Sequence, residues 1–287
     1  MQHQIGPFRL YTKKPNDIQY GHIYTMNVIL PVGKYQNRTV RVYLPEGYDK
    51  NKRYPVMYMS DGQNIVDKYT TAYGAWDIDI RQHELIKEGY TPFIVVGLDC
   101  PKSPTCRVQE YTFMDVPILD KYISRRARNK KPYSDKIMNY LVNQIKPLVD
   151  EYFSTRKEKE WTAFGGSSMG GIASFNMTTI YHDVFGFSLC FSPAFHLYDP
   201  ELLTEYVDSL NINPEEYGKF FFYSGGVEFE NVFLKPTMEM YSYMLYRGFT
   251  TDQVSLLIDT TQKHCEAAWS LHFNEAIRFW LKDYALD

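Results

Sequence analysis

The chain has 287 residues, of which 44% are hydrophobic and 23% charged, and its formal net charge is -3. This composition allows one substantial core, and α/β folds of this length commonly form one domain, so we expect a single domain over residues 1–287. The slightly acidic balance argues against a nucleic-acid-binding protein, and the lack of a long apolar run argues against a membrane-spanning one.

Eight segments in chain order have the composition of β-strands. The first two alternate polar and apolar residues, as antiparallel edge strands do, whereas the later ones are nearly continuous apolar runs separated by helical stretches, as buried parallel strands are. The sequence therefore predicts an α/β fold with an eight-stranded, mostly parallel sheet and helices on both faces. The predicted strands are 22–30, 39–44, 55–60, 93–98, 161–164, 186–191, 220–223 and 254–258.

Three predicted helices have recognisable ends. Ser134 favours the start of one helix, which Pro147 should kink near its end. Pro236 suits the first turn of another helix that stops at Gly248. Residues 266–284 have the spacing of an amphipathic final helix.

The most informative motif is residues 165–171, Gly-Gly-Ser-Ser-Met-Gly-Gly, which follow the strand-like run 161–164 and precede a helix-like run. Only one register satisfies the G-x-S-x-G pattern of a nucleophile elbow, and it selects Ser168 over Ser167. Such a turn holds the hydroxyl where a base can reach it and where a helix N-terminus receives negative charge. The alternative is an ordinary glycine-rich turn, because so short a pattern also arises by chance.

An acid and a base follow the elbow in the order that such a site requires. Glu228 comes just after a strand-like aromatic run, and His264 is on the loop after the last predicted strand. We therefore predict a triad of Ser168, His264 and Glu228, although either of the last two also suits a surface position when taken singly. Asp259 and Asp252 are rival acids of lower rank, because the first is close in sequence to His264 and the second precedes the last strand.

Further groups of residues accompany these candidates, namely 54–64, Arg107 with Glu110 and Tyr111, 166–171, 192–195 and 264–269. Together they resemble the esterase family of α/β-hydrolases, which includes feruloyl and acetyl-xylan esterases, enterochelin esterases, S-formylglutathione hydrolase and the mycobacterial mycolyltransferases. The resemblance covers most of the chain and is specific to the family, though not to one member. It implies the α/β-hydrolase fold.

The resemblance also implies an oxyanion hole formed by two backbone N–H groups, those of Met169 and Gln63. The substrate-pocket residues that it suggests are Asp61, Asn64, Arg107, Glu110 and Phe195. Two interpretations of Arg107 stay open. Either it meets a substrate carboxylate or phosphate, or it pairs with Glu110 or another acid in a structural role.

Two features depart from the family pattern. Residues 60–62 read Ser-Asp-Gly where many members have a histidine before the oxyanion glycine, a variant similar to the mycolyltransferase branch, so acyl transfer stays open. Cys265 follows His264 where a polar residue is commoner, and its thiol is either redox-sensitive or inert.

The other cysteines lack zinc-site spacing, so we expect no metal, and Cys100 and Cys106 could pair only in an oxidising compartment.

We therefore expect a serine carboxylic-ester hydrolase that works through an acyl-enzyme and needs no cofactor. The family suggests small-molecule or oligosaccharide esters, above all carbohydrate-linked acetyl or feruloyl groups, and neither nucleic acid nor a membrane is an expected partner. The alternatives are an acyltransferase with the same triad, a siderophore-ester or thioester hydrolase, and a non-catalytic binding module.

Substrate choice should depend on two insertions, about 100–133 and 193–218, which we expect near the nucleophile. The basic run 125–131 lies in the first of them and suits a solvated loop. The first residues carry no signal-peptide pattern, so a complete chain would be cytoplasmic.

Overall fold

The computed structural model describes residues 2–13, 18–66, 69, 71, 74–115 and 131–282. Their strands form one ten-stranded sheet. The strands are β1 (Gln4–Ile5), β2 (Phe8–Leu10), β3 (His22–Ile29), β4 (Asn37–Leu44), β5 (Val56–Ser60), β6 (Ile94–Leu98), β7 (Thr162–Ser167), β8 (Phe187–Phe191), β9 (Lys219–Gly225) and β10 (Val254–Asp259). All eight predicted strands are present within a few residues of their predicted bounds.

The strand order is β1-β2-β3-β4-β6-β5-β7-β8-β9-β10. Pairs from β1 to β4, and the pair of β4 with β6, are antiparallel, whereas the remaining pairs are parallel. The predicted antiparallel edge and parallel remainder are confirmed, but the predicted number of strands is wrong. β1 and β2 have only two and three residues, too few for an alternating pattern to appear in the sequence.

Helices cover both faces of the sheet, as predicted. They are α1 (Ile78–Lys87), α2 (Pro104–Tyr111), α3 (Ser134–Tyr140), α4 (Lys146–Tyr152), α5 (Met169–Ile180), α6 (Pro200–Ser209), α7 (Asn231–Tyr246), α8 (Glu266–Leu271) and α9 (Phe273–Leu281). α1 and α9 pack together on one face, and α5 packs on β7 and β8 on the other.

Buried aromatic residues in β9 contact both layers of helices. Phe221 and Tyr223 join the apolar cluster that contains α1 and α9, whereas Phe220 and Phe222 join the cluster of α5 and α7. Successive strand residues point to opposite faces, so a continuous apolar run is what a strand covered on both sides requires. This packing explains why the parallel strands were readable from the sequence.

Two prolines affect the course of their helices. Pro147 follows a single π-helical turn, Leu141–Ile145, that joins α3 to α4. A proline lacks an N–H and crowds the carbonyl four residues earlier, which accounts for the wider turn just before the position of the predicted kink. Pro236 lies in the second turn of α7 and not in the first, so that prediction is wrong. The predicted stop is confirmed, because α7 ends just before Gly248, which adopts a φ of 97°.

The predicted final helix is divided in two. His272 separates α8 from α9 with φ -107° and ψ 7°, and its Nε2 is bonded to Asp259 Oδ2 at 2.9 Å. The single amphipathic helix predicted here is therefore wrong in its continuity. Its predicted end at Tyr284 lies outside the described residues.

The carboxyl ends of β5 to β10 lie at one edge of the sheet, and the loops that follow them carry the candidate residues. The two predicted insertions begin there, after β6 and after β8. Residues 116–130, with most of the predicted basic run, lie outside the described residues. In the part of the chain that is described, no helix is long and apolar enough to cross a membrane.

Close backbone packing before β8 and β9 generates a stability prediction. A Cβ on Gly218 would lie 1.9 Å from the carbonyl oxygen of Gly186, whereas one on Gly33 would meet nothing within 4 Å. Gly218→Ala should therefore lower the free energy of unfolding by about 1–3 kcal/mol. The matched control Gly33→Ala should change it by less than about 0.5 kcal/mol. Urea unfolding of both variants checks this, and equal losses would contradict it.

Candidate active site

Ser168 lies in the turn between β7 and α5 and adopts φ 59° and ψ -123°, a conformation that residues other than glycine rarely adopt. The turn requires glycine on both sides. A Cβ on Gly166 would lie 2.1 Å from Ser60 Oγ and 2.7 Å from the carbonyl oxygen of Gly170, and one on Gly170 would lie 2.3 Å from Ser60 Oγ. The predicted steric need for these glycines is confirmed.

Backbone hydrogen bonds hold Ser168 against the end of β8. Its N–H donates to the carbonyl oxygen of Phe191 at 2.9 Å, and its own carbonyl accepts from the N–H of Ala194 at 3.0 Å. Ser167 is buried as the last residue of β7, whereas Ser168 is half-buried. Of the two serines, Ser168 is thus the one on the exposed side of the turn.

His264 lies on the loop between β10 and α8, where aromatic rings fix the plane of its imidazole. The ring stacks on Phe233 with centroids 4.3 Å apart. It meets Phe229 and Trp269 edge-on, at centroid distances of 5.1 and 4.8 Å. In addition, Nδ1 is bonded to Oε2 of Glu230. The imidazole therefore has little freedom to rotate.

Glu230 is completely buried, and both of its carboxylate oxygens have partners. Oε2 is bonded to His264, while Oε1 accepts hydrogen bonds from the N–H of Gly225 at 2.8 Å and from the hydroxyl of Ser192. Ser192 Oγ accepts in turn from Trp269 Nε1 at 2.9 Å. A buried carboxylate needs such donors in place of lost water, so this network fixes Glu230 and through it the imidazole.

The structure does not bring the predicted acid, Glu228, to His264. The Glu228 side chain is 66% exposed, and its Oε1 pairs with Lys263 Nζ at 2.8 Å. The physical reason is a single 3-10 turn, Glu228–Glu230, which directs the carboxylate two residues further along toward the imidazole. The prediction that Glu228 orients His264 is therefore wrong.

The two rival acids also have other partners. Asp259 is bonded to His272, and Asp252 pairs with Lys282 Nζ at 2.7 Å. Neither is bonded to His264. Their lower rank in the sequence reasoning agrees with these contacts.

The turn after β5 packs its backbone directly on β6. Asp61 adopts a left-handed conformation with φ 54°, and Gly62–Asn64 form one 3-10 turn. A Cβ on Gly62 would lie 2.5 Å from the carbonyl carbon of Gly97 in β6. Only glycine allows the two backbones to come so close, and this contact sets the height of the turn above the sheet.

The two backbone groups predicted for an oxyanion hole start from different elements. Met169 is the first residue of α5, so its N–H has no acceptor within the helix. The Gln63 side chain is engaged on the other side of its turn, where Oε1 accepts from the N–H of Cys100 at 3.0 Å and Nε2 donates to Cys100 Sγ at 3.2 Å. These bonds fix the orientation of the Gln63 side chain.

Arg107 forms a two-point ion pair with Asp61, with Nε to Oδ1 at 2.9 Å and Nη2 to Oδ2 at 2.7 Å. Its guanidinium also lies 4.9 Å from the ring centroid of Tyr111, whose hydroxyl accepts from the N–H of Asp61 at 3.0 Å. Burial alone would raise the pKa of Asp61, but the charge of Arg107 and the hydrogen bonds to the carboxylate together outweigh burial and lower it. These contacts favour the structural interpretation of Arg107, with Asp61 as its partner.

Two of the predicted pocket residues have buried side chains beside small cavities, of about 30 Å³ for Glu110 and about 50 Å³ for Phe195. Glu110 pairs with the buried Arg38, and burial raises the pKa of Glu110 to about 7. Phe195 is fully buried and packs on Phe175 and Phe222, with ring centroids 5.4 and 6.3 Å away. The role of these two residues in a substrate pocket stays a prediction.

Sequence reasoning missed Glu266, which begins α8 two residues after His264. Glu266 is 6% exposed, and its Oε1 accepts a hydrogen bond from Asn64 Nδ2 at 2.6 Å. Burial raises the pKa of this carboxyl to about 7. Asn64, predicted as a pocket residue, thus connects the turn after β5 to the loop that carries His264.

All four cysteines are free thiols. Burial raises the pKa of Cys100 and of Cys190 to about 12, which disfavours the reactive thiolate at both positions. Cys265, beside His264, is half-buried. Within the described ranges, no group of three or more histidine, cysteine, aspartate or glutamate side chains is placed to hold a metal ion.

Comparison with known sequences identifies a family and two relatives. The model of the Esterase family, described as "Putative esterase", matches residues 35–269, more than half of the chain. Uncharacterized protein YbbA of Bacillus subtilis is 22% identical over 253 residues, which are 86% of this chain and 94% of YbbA. An endo-1,4-beta-xylanase/feruloyl esterase of Xylanibacter ruminicola is 27% identical over 181 residues, which are 60% of this chain but only 21% of that longer protein.

Solved structures share the fold at low sequence identity. The BES protein from Bacillus cereus matches with a TM-score of 0.70 and 17% identity, covering 94% of this chain and 98% of its own. A ferulic acid esterase matches at 0.67 and 16%, covering 93% and 100%. Siderophore hydrolase EstB from Aspergillus nidulans matches at 0.66 and 15%, covering 96% and 99%. The chain has the α/β-hydrolase fold, with ten strands instead of the predicted eight.

The ion pair of Arg107 with the buried Asp61 generates a prediction about pH and stability. Because the folded state lowers the pKa of Asp61, the pair stabilises the fold above the unfolded value of about 3.9, and this contribution is lost as pH falls through the folded value. Arg107→Met leaves a buried carboxylate unpaired, so the free energy of unfolding should fall by about 3 kcal/mol at neutral pH.

The same variant should lose much less stability near pH 3, because its unpaired Asp61 takes up a proton there and no longer buries a charge. Urea unfolding of wild type and variant at both pH values measures the two differences. An equal loss of stability at neutral and acid pH would contradict the electrostatic role of the pair.

Proposed function

The chain belongs to the esterase family and is an esterase, and from this premise we propose that it hydrolyses carboxylic esters through Ser168, His264 and Glu230. The observation that carries the proposal is the bond between His264 Nδ1 and the buried Glu230, at the same sheet edge as a strained serine in a nucleophile elbow. An imidazole held at Nδ1 keeps Nε2 as its remaining base.

The end of β8 supports a common site, because it contacts both the nucleophile and the acid. The carbonyl oxygen of Phe191 accepts from the N–H of Ser168, and the next residue, Ser192, donates its hydroxyl to Glu230. The backbone of Ser168 and the carboxylate of Glu230 are thus both bonded to one two-residue segment.

In the proposed reaction, His264 Nε2 takes the proton of the Ser168 hydroxyl as Oγ attacks the ester carbonyl carbon. The tetrahedral intermediate collapses when the bond to the alcohol oxygen breaks, and His264 gives that oxygen the proton. Water then attacks the acyl-enzyme with His264 again as base, which releases the acid and restores Ser168. The Glu230 carboxylate keeps the imidazole oriented and stabilises the imidazolium.

The oxyanion of both intermediates is proposed to lie between the N–H groups of Met169 and Gln63. One such preorganised donor typically contributes on the order of 3 kcal/mol to transition-state stabilisation. The first N–H of α5 also carries the positive end of the helix dipole, which favours negative charge there. The bonds between Gln63 and Cys100 support a fixed position for the second donor.

We propose carbohydrate-linked acetyl or feruloyl esters as the substrates. One support is the relative from Xylanibacter ruminicola, an endo-1,4-beta-xylanase/feruloyl esterase. The other is a polar groove of about 470 Å³ that opens beside Cys100, whose backbone holds Gln63. Its lining includes the side chains of Lys34, Tyr35, Gln36, Asn37 and Thr39. Amides, hydroxyls and an exposed aromatic ring suit the hydroxyls and the ring face of a sugar leaving group.

Ser168→Ala tests the esterase assignment on a panel of esters. The panel is para-nitrophenyl acetate, butyrate and octanoate, methyl ferulate, acetylated xylo-oligosaccharide and a siderophore trilactone. Wild-type turnover should fall roughly 10³- to 10⁶-fold in the variant, the scale of triad removals. Near-wild-type activity of the variant would reject Ser168, and preference for the trilactone would reject the carbohydrate proposal. Free acid as the sole product with added glycerol would distinguish hydrolysis from acyl transfer.

Glu230→Gln and Glu228→Gln form a matched pair that tests the acid. Glu230→Gln should lower kcat by roughly 10⁴-fold, because a neutral amide neither holds the required tautomer nor stabilises the imidazolium. Glu228→Gln should leave kcat essentially unchanged, since it removes only an exposed ion pair with Lys263. Steady-state kinetics on para-nitrophenyl acetate compare them, and the reverse order of losses would restore Glu228 as the acid.

A further inference from the structure

The turn that carries Gln63 is held from both ends by side chains of distant elements. At its start, Arg107 and Tyr111 bind Asp61 through the ion pair and the hydroxyl described above. At its end, Asn64 Nδ2 donates to Glu266 Oε1 at 2.6 Å, a contact that spans 202 positions in the sequence. Arg107 and Tyr111 lie in α2, which follows β6, whereas Glu266 is the first residue of α8, which follows β10.

Glu266 is joined rigidly to the histidine loop. It is the first residue of α8, and the carbonyl oxygen of Cys265, the residue between it and His264, accepts from the N–H groups of Ala268 and Trp269 at 3.1 Å. A carboxylate at a helix N-terminus is favoured by the helix dipole. Movement of Glu266 therefore cannot occur without movement of the segment next to His264.

Asn64 is joined just as rigidly to the turn. Its N–H donates to the carbonyl oxygen of Asp61 at 2.8 Å, and its carbonyl accepts from the N–H of Trp76 at 2.8 Å. The Trp76 ring stacks on that of Trp269 in α8, with centroids 5.9 Å apart and an angle of 27° between the ring planes. The turn is thus bonded directly to α8 through Asn64 and Glu266, and it also binds the backbone of Trp76, whose ring contacts Trp269 of α8.

We propose that Asn64 and Glu266 are positioning residues that set the oxyanion turn relative to the histidine loop. The inference rests on the proposed function, because it takes the Gln63 N–H as an oxyanion donor and His264 as the base. A donor displaced by about 1 Å can cost roughly 100-fold in rate. Loss of the contact should therefore lower kcat and transition-state affinity, while ground-state binding of the substrate changes little.

Exchange of the donor and the acceptor tests the contact itself. Asn64→Asp places two carboxylates against each other and should lower kcat roughly 100-fold. Glu266→Gln should have a small effect, because the amide oxygen still accepts from Asn64. The double variant should recover most of the lost kcat, since the new amide can donate to the new carboxylate. The assays follow kcat upward from neutral pH, because a second carboxylate raises the pKa of Glu266 above its value of about 7, and the two groups share a proton until the pH is well above that.

Asn274→Asp is the matched control, because Asn274 Nδ2 donates to Glu84 Oε2 at 2.9 Å between α9 and α1, away from the site. It should lower stability without a change in kcat. The second readout is the inhibition constant of a trifluoromethyl ketone, which forms a tetrahedral adduct with the serine. In Asn64→Asp, the inhibition constant should rise by the same factor as kcat/KM falls, and in the double variant it should return toward the wild-type value. KM should stay within about threefold of wild type in both variants. Urea midpoints confirm that each variant is folded.

Wild-type kcat in folded Asn64→Asp would overturn this inference, and so would a double variant in which Glu266→Gln does not restore the lost kcat. Either result would leave the proposed function intact, because Ser168-dependent turnover of the wild type would still stand. A wild type without Ser168-dependent turnover would overturn the proposed function and this inference with it. A loss that appears equally in Asn274→Asp would also overturn it, because the effect would then follow from general destabilisation.

Discussion

The geometry of the site depends on the burial of one carboxylate, that of Glu230. Its two oxygens accept or share hydrogen bonds with the ends of β8 and β9 and with the loop after β10, through Ser192, Gly225 and His264. Such a charge is costly to bury without partners, so any rearrangement that breaks one bond raises the free energy of the whole site. The imidazole is fixed because the Glu230 carboxylate that binds it is fully buried and cannot turn toward water.

Close backbone contact supplies the second constraint. Gly166 and Gly170 allow the elbow to pack against Ser60, and Gly62 allows the neighbouring turn to touch Gly97 in β6. The nucleophile and the proposed oxyanion donor thus rise from adjacent strands, β7 and β5, at heights fixed by contacts that no larger residue permits. Polar contacts such as that of Asn64 with Glu266 then orient the turns that the glycine contacts bring close together.

The sequence predicted the features that depend on short-range rules. The buried parallel strands and the elbow were readable, because double-sided burial and turn sterics leave local patterns. The acid was not, since residues 227–230 offer carboxylates at Glu228 and Glu230, and only the 3-10 turn decides which one reaches His264. The contact of Asn64 with Glu266 joins residues 202 positions apart, so no local sequence pattern predicts it. β1 and β2 were missed because strands of two and three residues carry too little periodicity.

The most direct test of the account is the site of covalent labelling by a fluorophosphonate on the folded protein, mapped by mass spectrometry of its peptides. A serine activated by the imidazole that Glu230 holds should carry a single adduct, on Ser168, and Glu230→Gln should label far more slowly than wild type. An unlabelled folded protein, or an adduct on any other serine, would contradict the assignment of Ser168 and of the network that activates it.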